Sequence, residues 1–345
     1  MTAVTTTVEE MPEQVTFIPQ DYTKRLMVFG GRASMELAAK IAGKLDVDLG
    51  EVDLRTFSNG EVYCRYKESI RGADVFIVQS TAHNEHEALT PNDALAELLM
   101  MVDAAKGASA HRIIAVTPWY GYSRQDKKSA PREPISARVV AKCMEAVGVD
   151  RLLTMDLHAG QVQGFFEVPV DHMTAMPMLT QWFMDQAITD ELVIVSPDAG
   201  RVKLARNFAR KLGVHWAVLE KERPAQQVAE IGYVVGDVEG KTAVLVDDMI
   251  DTAGTLCAAA ETVIEEGAAR VIAVATHGVF SDPAYERLAD SSIERIVVTD
   301  TLPIRSGAPD KITVLSCAQT LADSIRRIFT DDSVSEIFAG ENQLF

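Results

Sequence analysis

Short apolar runs alternate along most of the chain with stretches whose apolar positions recur every three or four residues. RLMVFGG (25–31) reads as a strand, and SMELAAKIAGKL (34–45) has the spacing of a helix buried on one face. DVFIVQS (74–80) predicts a strand, ALAELLMMVDAAKGA (94–108) a helix with Gly107 near its end, and RIIAVTP (112–118) a strand. ISARVVAKCMEAVG (135–148) predicts a helix and RLLTMDLH (151–158) a strand. Apolar runs separated by helical patterns predict an α/β fold of mainly parallel sheets flanked by helices.

The same pattern then returns. AVLVDD (243–248) is followed by a helical run, TLCAAAETVIEEGA (255–268), and by a strand, RVIAVAT (270–276). GASAHRIIAVTPWYGYS (107–123) and GAARVIAVATHGVFS (267–281) place Gly, Ala, Arg, an I-A-V strand and an aromatic loop in one order, which predicts a duplication. PMLTQWFMDQAI (177–188) would open the second copy, with ELVIVSPD (191–198) as its first strand. The expected layout is an N-terminal tail over 1–22, a first domain over 23–174, a second over 175–330 and a C-terminal tail over 331–345.

Composition narrows the class. At 345 residues the chain is long enough for two domains with real cores. Its formal charge of −17 makes it a poor non-specific binder of nucleic acid, so any phosphate must be held by local basic groups and backbone amides. No apolar stretch approaches a membrane span, and the acidic, polar N-terminus lacks the pattern of a secretory signal. Cys64, Cys143, Cys257 and Cys317 are scattered without metal or redox spacing, which with the missing signal suggests a cytoplasmic protein.

The most informative stretch is VLVDDMIDTAGT (244–255), in which an apolar run ends in Asp247 and Asp248, then Asp251 and the small turn Thr252, Ala253, Gly254 and Thr255. Ligands of open parallel sheets bind beyond the carboxyl ends of strands, and a helix N-terminus offers unpaired amides to a phosphate. Carboxylates suit sugar hydroxyls, so the segment reads as a sugar-phosphate site. An acidic N-cap accounts for one or two of the acids, but not for three acids with a small-residue turn. GKT (240–242) is no P-loop: Val235 stands where its glycine belongs, and a strand follows it. The segment resembles the 5-phosphoribosyl-1-pyrophosphate motif of the type I phosphoribosyltransferase fold.

Other segments end predicted strands with candidate chemistry. YSRQDKKSAPREPISAR (122–138) concentrates positive charge in an acidic chain, through Arg124, Lys127, Lys128 and Arg132, and Gln125 could meet a base edge. The alternative there is a solvated basic loop. TFSNGEVYCR (56–65) offers Phe57 as a stacking face, with Asn59 and Glu61 as polar partners. Asp198 ends another strand and is a good Mg²⁺ ligand type; His158 is a poor one, because Mg²⁺ prefers oxygen, and a lone histidine is more often a satisfied structural group.

Taken together, FSNGE, RGADVFIVQST, MMVDA, YGYSRQDKK, REPISAR, DLHAGQVQGFF, VSPDAG, EKERP and VLVDDMIDTAGT resemble the class I ribose-phosphate pyrophosphokinases over about residues 24–330. The resemblance implies two tandem type I phosphoribosyltransferase-like domains, and transfer of the β,γ-diphosphoryl group of ATP to the 1-hydroxyl of ribose 5-phosphate with release of AMP. It assigns ATP to Phe57, Asn59, Gly60, Glu61, Arg124 and Gln125, and Mg²⁺ to His158 and Asp198. It assigns ribose 5-phosphate to Asp247, Asp248, Asp251, Thr252, Ala253, Gly254 and Thr255, with Arg223. Lys221 and Arg223 match a mobile catalytic loop, as the aperiodic polar segment after VHWAVL (214–219) suggests. The resemblance further implies a homo-oligomer, a hexamer in the family. Three positions depart from the pattern: Asn59 where Asp is frequent, Arg201 in place of a second glycine, and Glu222 in place of a base. An ordinary phosphoribosyltransferase would share 247–255 without needing 122–138. A non-catalytic regulatory homologue would not need Lys221 and Arg223.

Overall fold

The computed structural model describes residues 24–186, 191–222 and 231–338. The expected N-terminal tail and part of the C-terminal one lie outside the described residues. The first half runs β1 (Leu26–Gly30), α1 (Met35–Leu45), β2 (Val52–Thr56), β3 (Val62–Tyr66), β4 (Asp74–Val78), α2 (Pro91–Gly107), β5 (Arg112–Val116), α3 (Ser136–Val147), β6 (Arg151–Met155), a 3-10 turn (Gly160–Phe165) and β7 (Val170–Met173). After α4 (Met176–Asp185) come β8 (Leu192–Ser196), a 3-10 turn (Ala199–Arg201), α5 (Val202–Leu212), β9 (His215–Glu222), β10 (Ile231–Val235), β11 (Thr242–Ile250) and α6 (Gly254–Glu265). The chain then forms β12 (Arg270–Gly278), α7 (Ala284–Asp290), β13 (Ile293–Thr299), β14 (Ile312–Leu315), α8 (Ala318–Thr330) and a last 3-10 turn (Val334–Phe338).

Two large sheets result, in the orders β1-β4-β5-β6-β7 and β10-β9-β8-β11-β12-β13-β14, beside a two-stranded sheet of β2 and β3. Within the two large sheets every pairing is parallel except β9–β10. From β1 and from β8 the order of elements is the same: strand, helix, antiparallel hairpin, then parallel strands. The matched segments of the sequence supply β5 and β12, each third in its parallel run. The halves differ at the hairpin. β9 joins its sheet beside β8, whereas β2–β3 stand apart and reach β1 through one bridge, Val28 to Leu49.

Alternation along each strand builds three apolar layers, because successive strand side chains point to opposite faces. Val28, Phe76, Val78, Ile114 and Val116 of the first sheet share one core with Ile194, Val244, Val246, Ile272 and Val274 of the second. Helices α1, α4, α5 and α8 contribute Leu37, Ile41, Leu179, Phe183, Phe208, Leu321 and Ile325 to it. The opposite faces are covered separately, by α2 and α3 over the first sheet and by α6 and α7 over the second. The last helix, from the second half, therefore packs against α1 of the first. Its C-terminal Asp331 reaches Arg112 and Lys24, both at 2.8 Å, and these cations also face the buried Asp74.

Two boundaries move from the expectation. β11 continues through Ile250, because β12 still pairs with it at Ile250–Gly278. β9 extends through Glu222, where the polar sequence suggested a loop, because Lys221 and Glu222 pair with Gly232 and Ile231 of β10. Main-chain pairing needs no apolar side chain, so this extension left no periodic trace.

Candidate active site at the carboxyl ends of β8 and β11

β8 pairs with β11 from Leu192–Thr242 to Val195–Leu245 and no further. The chain then turns through α5 to β9 on the other side of β8, so the strand order reverses between β8 and β11. Such a reversal opens a crevice at the carboxyl ends. Asp247 and Asp248 lie on β11 beyond the last β8 contact, with β12 still supporting them.

A single guanidinium organises these acids. Arg201, at the end of the 3-10 turn after β8, donates from Nε to Asp247 Oδ1 at 3.1 Å and lies 2.7 Å from Asp248 Oδ1 through Nη2. Its Nη1 donates to the His158 carbonyl at 3.3 Å, and its Nη2 stands 2.7 Å from His158 Nδ1. That imidazole nitrogen is also 2.8 Å from Asp248 Oδ2. One ring nitrogen can serve only one of these neighbours at a time: protonated it donates to Asp248, bare it accepts from Arg201. Burial alone would raise both carboxyl pKa values. At Asp248 the His158 hydrogen bond, the neighbouring Asp247 and the Arg201 charge outweigh burial and hold it at about 2. At Asp247 burial and the adjacent Asp248 push the pKa up despite Arg201.

After β11 the chain makes the small turn. Ala253 has φ 59°, in the left-handed region, and α6 begins at Gly254. The amides of Gly254, Thr255 and Leu256 open the helix and have no partner within it. Asp251 pairs with Arg124 from the first half at 2.6 Å. Two adjoining cavities, of about 510 and 270 Å³, share Arg124, His158, Asp198, Arg201, Asp247 and Asp248 in their walls. The smaller one also takes in Asp251 to Thr255.

Other expected residues stand apart. Phe57, Asn59, Gly60 and Glu61 form the exposed tip of the β2–β3 hairpin and line neither cavity. There Gly60 adopts φ 92°, the Glu61 amide donates to Asn59 Oδ1 at 3.2 Å, and Phe57 packs edge-on to Tyr63. Gln125 uses its Oε1 to accept from Ser136 at 2.5 Å. Lys221 lies on β9, its side chain outside the described residues, as is Arg223 altogether. The larger cavity also takes in Asp156, which ends the same strand as His158, and three residues that the sequence reading missed, Asp126, Gln161 and Thr276. Asp126 sits inside the basic segment already singled out. Thr276 had no signal: it arrives because β12 runs beside β11, and there its hydroxyl donates to the buried Asp156 at 2.5 Å.

The donor set fits a cation that brings oxygens of its own. With Nδ1 of His158 facing Asp248, Nε2 is left for a metal, the arrangement in which a carboxylate orients a ligating histidine. Asp198 spends Oδ1 on the amides of Gly200 at 2.7 Å and Arg201 at 3.1 Å, so Oδ2 is the oxygen a cation could use. Among the described residues no group of three or more His, Cys, Asp and Glu could hold a metal. One carboxylate oxygen and one imidazole nitrogen leave such a cation most of its coordination sites for phosphate and water. Among the described residues no helix is long and apolar enough to cross a membrane.

Comparison with known proteins follows the same line. Residues 26–148 match the family described as the N-terminal domain of ribose phosphate pyrophosphokinase, and residues 226–339 match the phosphoribosyl synthetase-associated domain. The chain is 48% identical to the ribose-phosphate pyrophosphokinase of Caldanaerobacter subterraneus subsp. tengcongensis, over 92% of this chain and 99% of that one. It is 49% identical to that of Streptomyces avermitilis, over 91% and 96%. The crystal structure of phosphoribosylpyrophosphate synthetase from Mycobacterium smegmatis superposes with a TM-score of 0.83 at 47% identity, covering 89% of this chain and 100% of that one.

Proposed function

This chain belongs to the ribose-phosphate pyrophosphokinase family, and we propose how its own residues divide that family's reaction. The enzyme transfers the diphosphoryl group of ATP to the 1-hydroxyl of ribose 5-phosphate. The products are AMP and 5-phosphoribosyl 1-pyrophosphate, the latter for nucleotide, histidine and tryptophan biosynthesis. The observation that carries the division of roles is the crevice between β8 and β11, where two carboxylates, a turn with free amides and the His158–Asp198 pair share adjoining cavities.

Ribose 5-phosphate sits with its phosphate on the turn from Asp251 to Thr255 and its ring hydroxyls on Asp247 and Asp248. An amide turn opening a helix favours the anion, and carboxylates accept from hydroxyls. The triphosphate lies across the larger cavity towards His158, Asp198 and Arg124. Mg²⁺, when bound there, draws charge from the phosphate oxygens. Gln125 and the hairpin tip, with the open face of Phe57, serve the adenosine part as the family resemblance implies. Holding both substrates in one crevice supplies the in-line approach that phosphoryl-type transfer needs, with little covalent help. Lys221 and Arg223 then meet the charge that develops on the moving diphosphoryl group.

Arg201 keeps the acids in place before the sugar arrives. On this reading residues 23–174 form the ATP side and 175–330 the ribose 5-phosphate side. The working form is a cytoplasmic homo-oligomer, a hexamer by family likeness.

The test is to incubate the protein with ATP, ribose 5-phosphate and Mg²⁺ and follow the nucleotide. AMP and 5-phosphoribosyl 1-pyrophosphate should appear in equal amounts, and neither without the metal. ADP as the main product would mean single-phosphoryl transfer and overturn the reading.

A further inference from the structure

The phosphate turn is braced by a residue far from it in sequence. Helix α7 carries Arg287, whose Nη1 donates to the Thr252 carbonyl at 2.9 Å. The helix is seated by Ala284 and Leu288, buried in the same core as Ala253 and Leu256. Arg287 is absent from the walls of both cavities, so it acts on the turn through the backbone.

Peptide geometry says what this contact does. The Thr252 carbonyl and the Ala253 amide belong to one planar trans unit and point in opposite directions. With the carbonyl held on Arg287, the Ala253 N–H points away from Arg287; Thr252, Ala253 and Gly254 wall the smaller cavity and Arg287 does not. Left alone, this peptide has reason to rotate. Ala253 stands at φ 59°, a conformation that costs an L-residue about 1–2 kcal/mol. Rotation of the 252–253 plane would relieve it and swing a carbonyl oxygen towards the bound phosphate. The same guanidinium crowds the next residue: a Cβ on Gly254 would lie 3.2 Å from Arg287 Nη1, which would have to give by a few tenths of an ångström.

We propose that Arg287 is a positioning residue for ribose 5-phosphate, which pins the Thr252 carbonyl outward so that the amides of the turn converge on the 5-phosphate. The proposal rests on the reading of residues 251–255 as the phosphate site.

Calorimetric titration of the full-length protein with ribose 5-phosphate, and separately with MgATP, tests it. Arg287→Met keeps most of the side-chain bulk without donor or charge. It should weaken ribose 5-phosphate about 10-fold and leave MgATP within about two-fold, as expected for one charged hydrogen bond lost from one ligand's site. Arg287→Lys, which can still donate to the carbonyl, should recover most of the affinity. Gly254→Ala should weaken ribose 5-phosphate in the wild-type background and weaken it less in Arg287→Met, because the crowding partner is gone. Equal losses for both ligands, or no recovery in Arg287→Lys, would make Arg287 merely structural and overturn the proposal. If Arg287→Met does not fold, Arg287→Gln and Arg287→Lys decide by the same comparison. Thr255→Val separates the two levels: unchanged ribose 5-phosphate affinity there means that the turn is not the phosphate site. A loss in Thr255→Val with none in Arg287→Met removes the Arg287 proposal alone.

Discussion

Arg201 faces Asp247, Asp248 and His158 at once; as a departure from a glycine it suggested a cation near the metal or the phosphates, but not these partners. Removing its charge leaves Asp248, 7% exposed at the side chain, with His158 as its remaining partner. Arg201→Met should therefore lower unfolding stability by about 3 kcal/mol, the cost of orphaning a buried charge; urea melts showing no loss would mean that the acids do not depend on it. Asp247→Asn together with Asp248→Asn should weaken ribose 5-phosphate far more than ATP, because amides accept hydroxyl hydrogen bonds less strongly than carboxylates. Equal weakening with the fold intact would assign these acids to the metal or to stability. For Lys221→Ala and Arg223→Ala the expected loss is in kcat, on the order of 10²–10³ fold each, by analogy with removal of one preorganised donor. Near wild-type kcat in both variants would leave them as ordinary surface cations.

At the scale of elements, the ends of β6 and β12 meet under the site through buried polar groups. The Leu157 amide donates to His172 Nε2 at 2.8 Å, and His277 reaches the Met155 and Asp156 carbonyls at 3.1 Å. Burial lowers the pKa of both histidines, that of His172 to about 4. The unfolded chain then binds a proton at His172 that the folded chain refuses between pH 6.5 and about 4, so stability falls as pH drops through that window. The loss from His172 should approach roughly 3 kcal/mol at its acid end. Chemical denaturation against pH should show the slope in wild type and a shallower one in His172→Gln; an unchanged slope would place the acid sensitivity elsewhere. A second junction ties the end of α8 to the start of β4, where Asp74 faces Arg112, His111 and Lys24. Asp74→Ala should cost about 1–3 kcal/mol in urea unfolding, because Lys24 and Arg112 keep Asp331 and are about a quarter exposed; no loss would mean that the junction does not hold the halves together.

Over the whole molecule, the core between the sheets draws on both halves, so neither keeps its apolar face when the other opens. Thermal unfolding should accordingly run as one cooperative transition by near- and far-ultraviolet circular dichroism; two separated transitions would show that the shared core does not couple the halves. The duplication also shows why one crevice is open and its counterpart is not. In the first half the corresponding strand ends are filled by their own side chains. Gln79 bonds the Ala33 amide at 3.1 Å and Glu97 at 3.0 Å, and Arg32 pairs with Glu97 at 2.5 Å. A Cβ on Gly31 would strike Gln79 at 2.3 Å. Those contacts place side chains of the first half at the ends of β1 and β4.

Much of this was legible in the residues. Parallel strands buried on both faces write themselves as apolar runs, so β1, β4, β5, β6, β8, β11 and β12 could be read directly, as could the apolar stripes of α1, α2, α3 and α6. The aspartates and small turn of 247–255 were equally plain, because they are contiguous and their chemistry is unlike that of a strand or helix interior. The short β7, β10 and β14 and the hairpin of β2 and β3 left little periodicity, since edge and half-exposed strands are specified by main-chain pairing more than by apolar side chains. What the chain could not announce is what arises where distant elements meet: Arg201 beside His158, Arg124 against Asp251, α8 against α1, Arg287 behind the turn. Each depends on the order in which strands were laid into the sheets. Strand order is decided by how the apolar faces pack together, and no local run of residues records it.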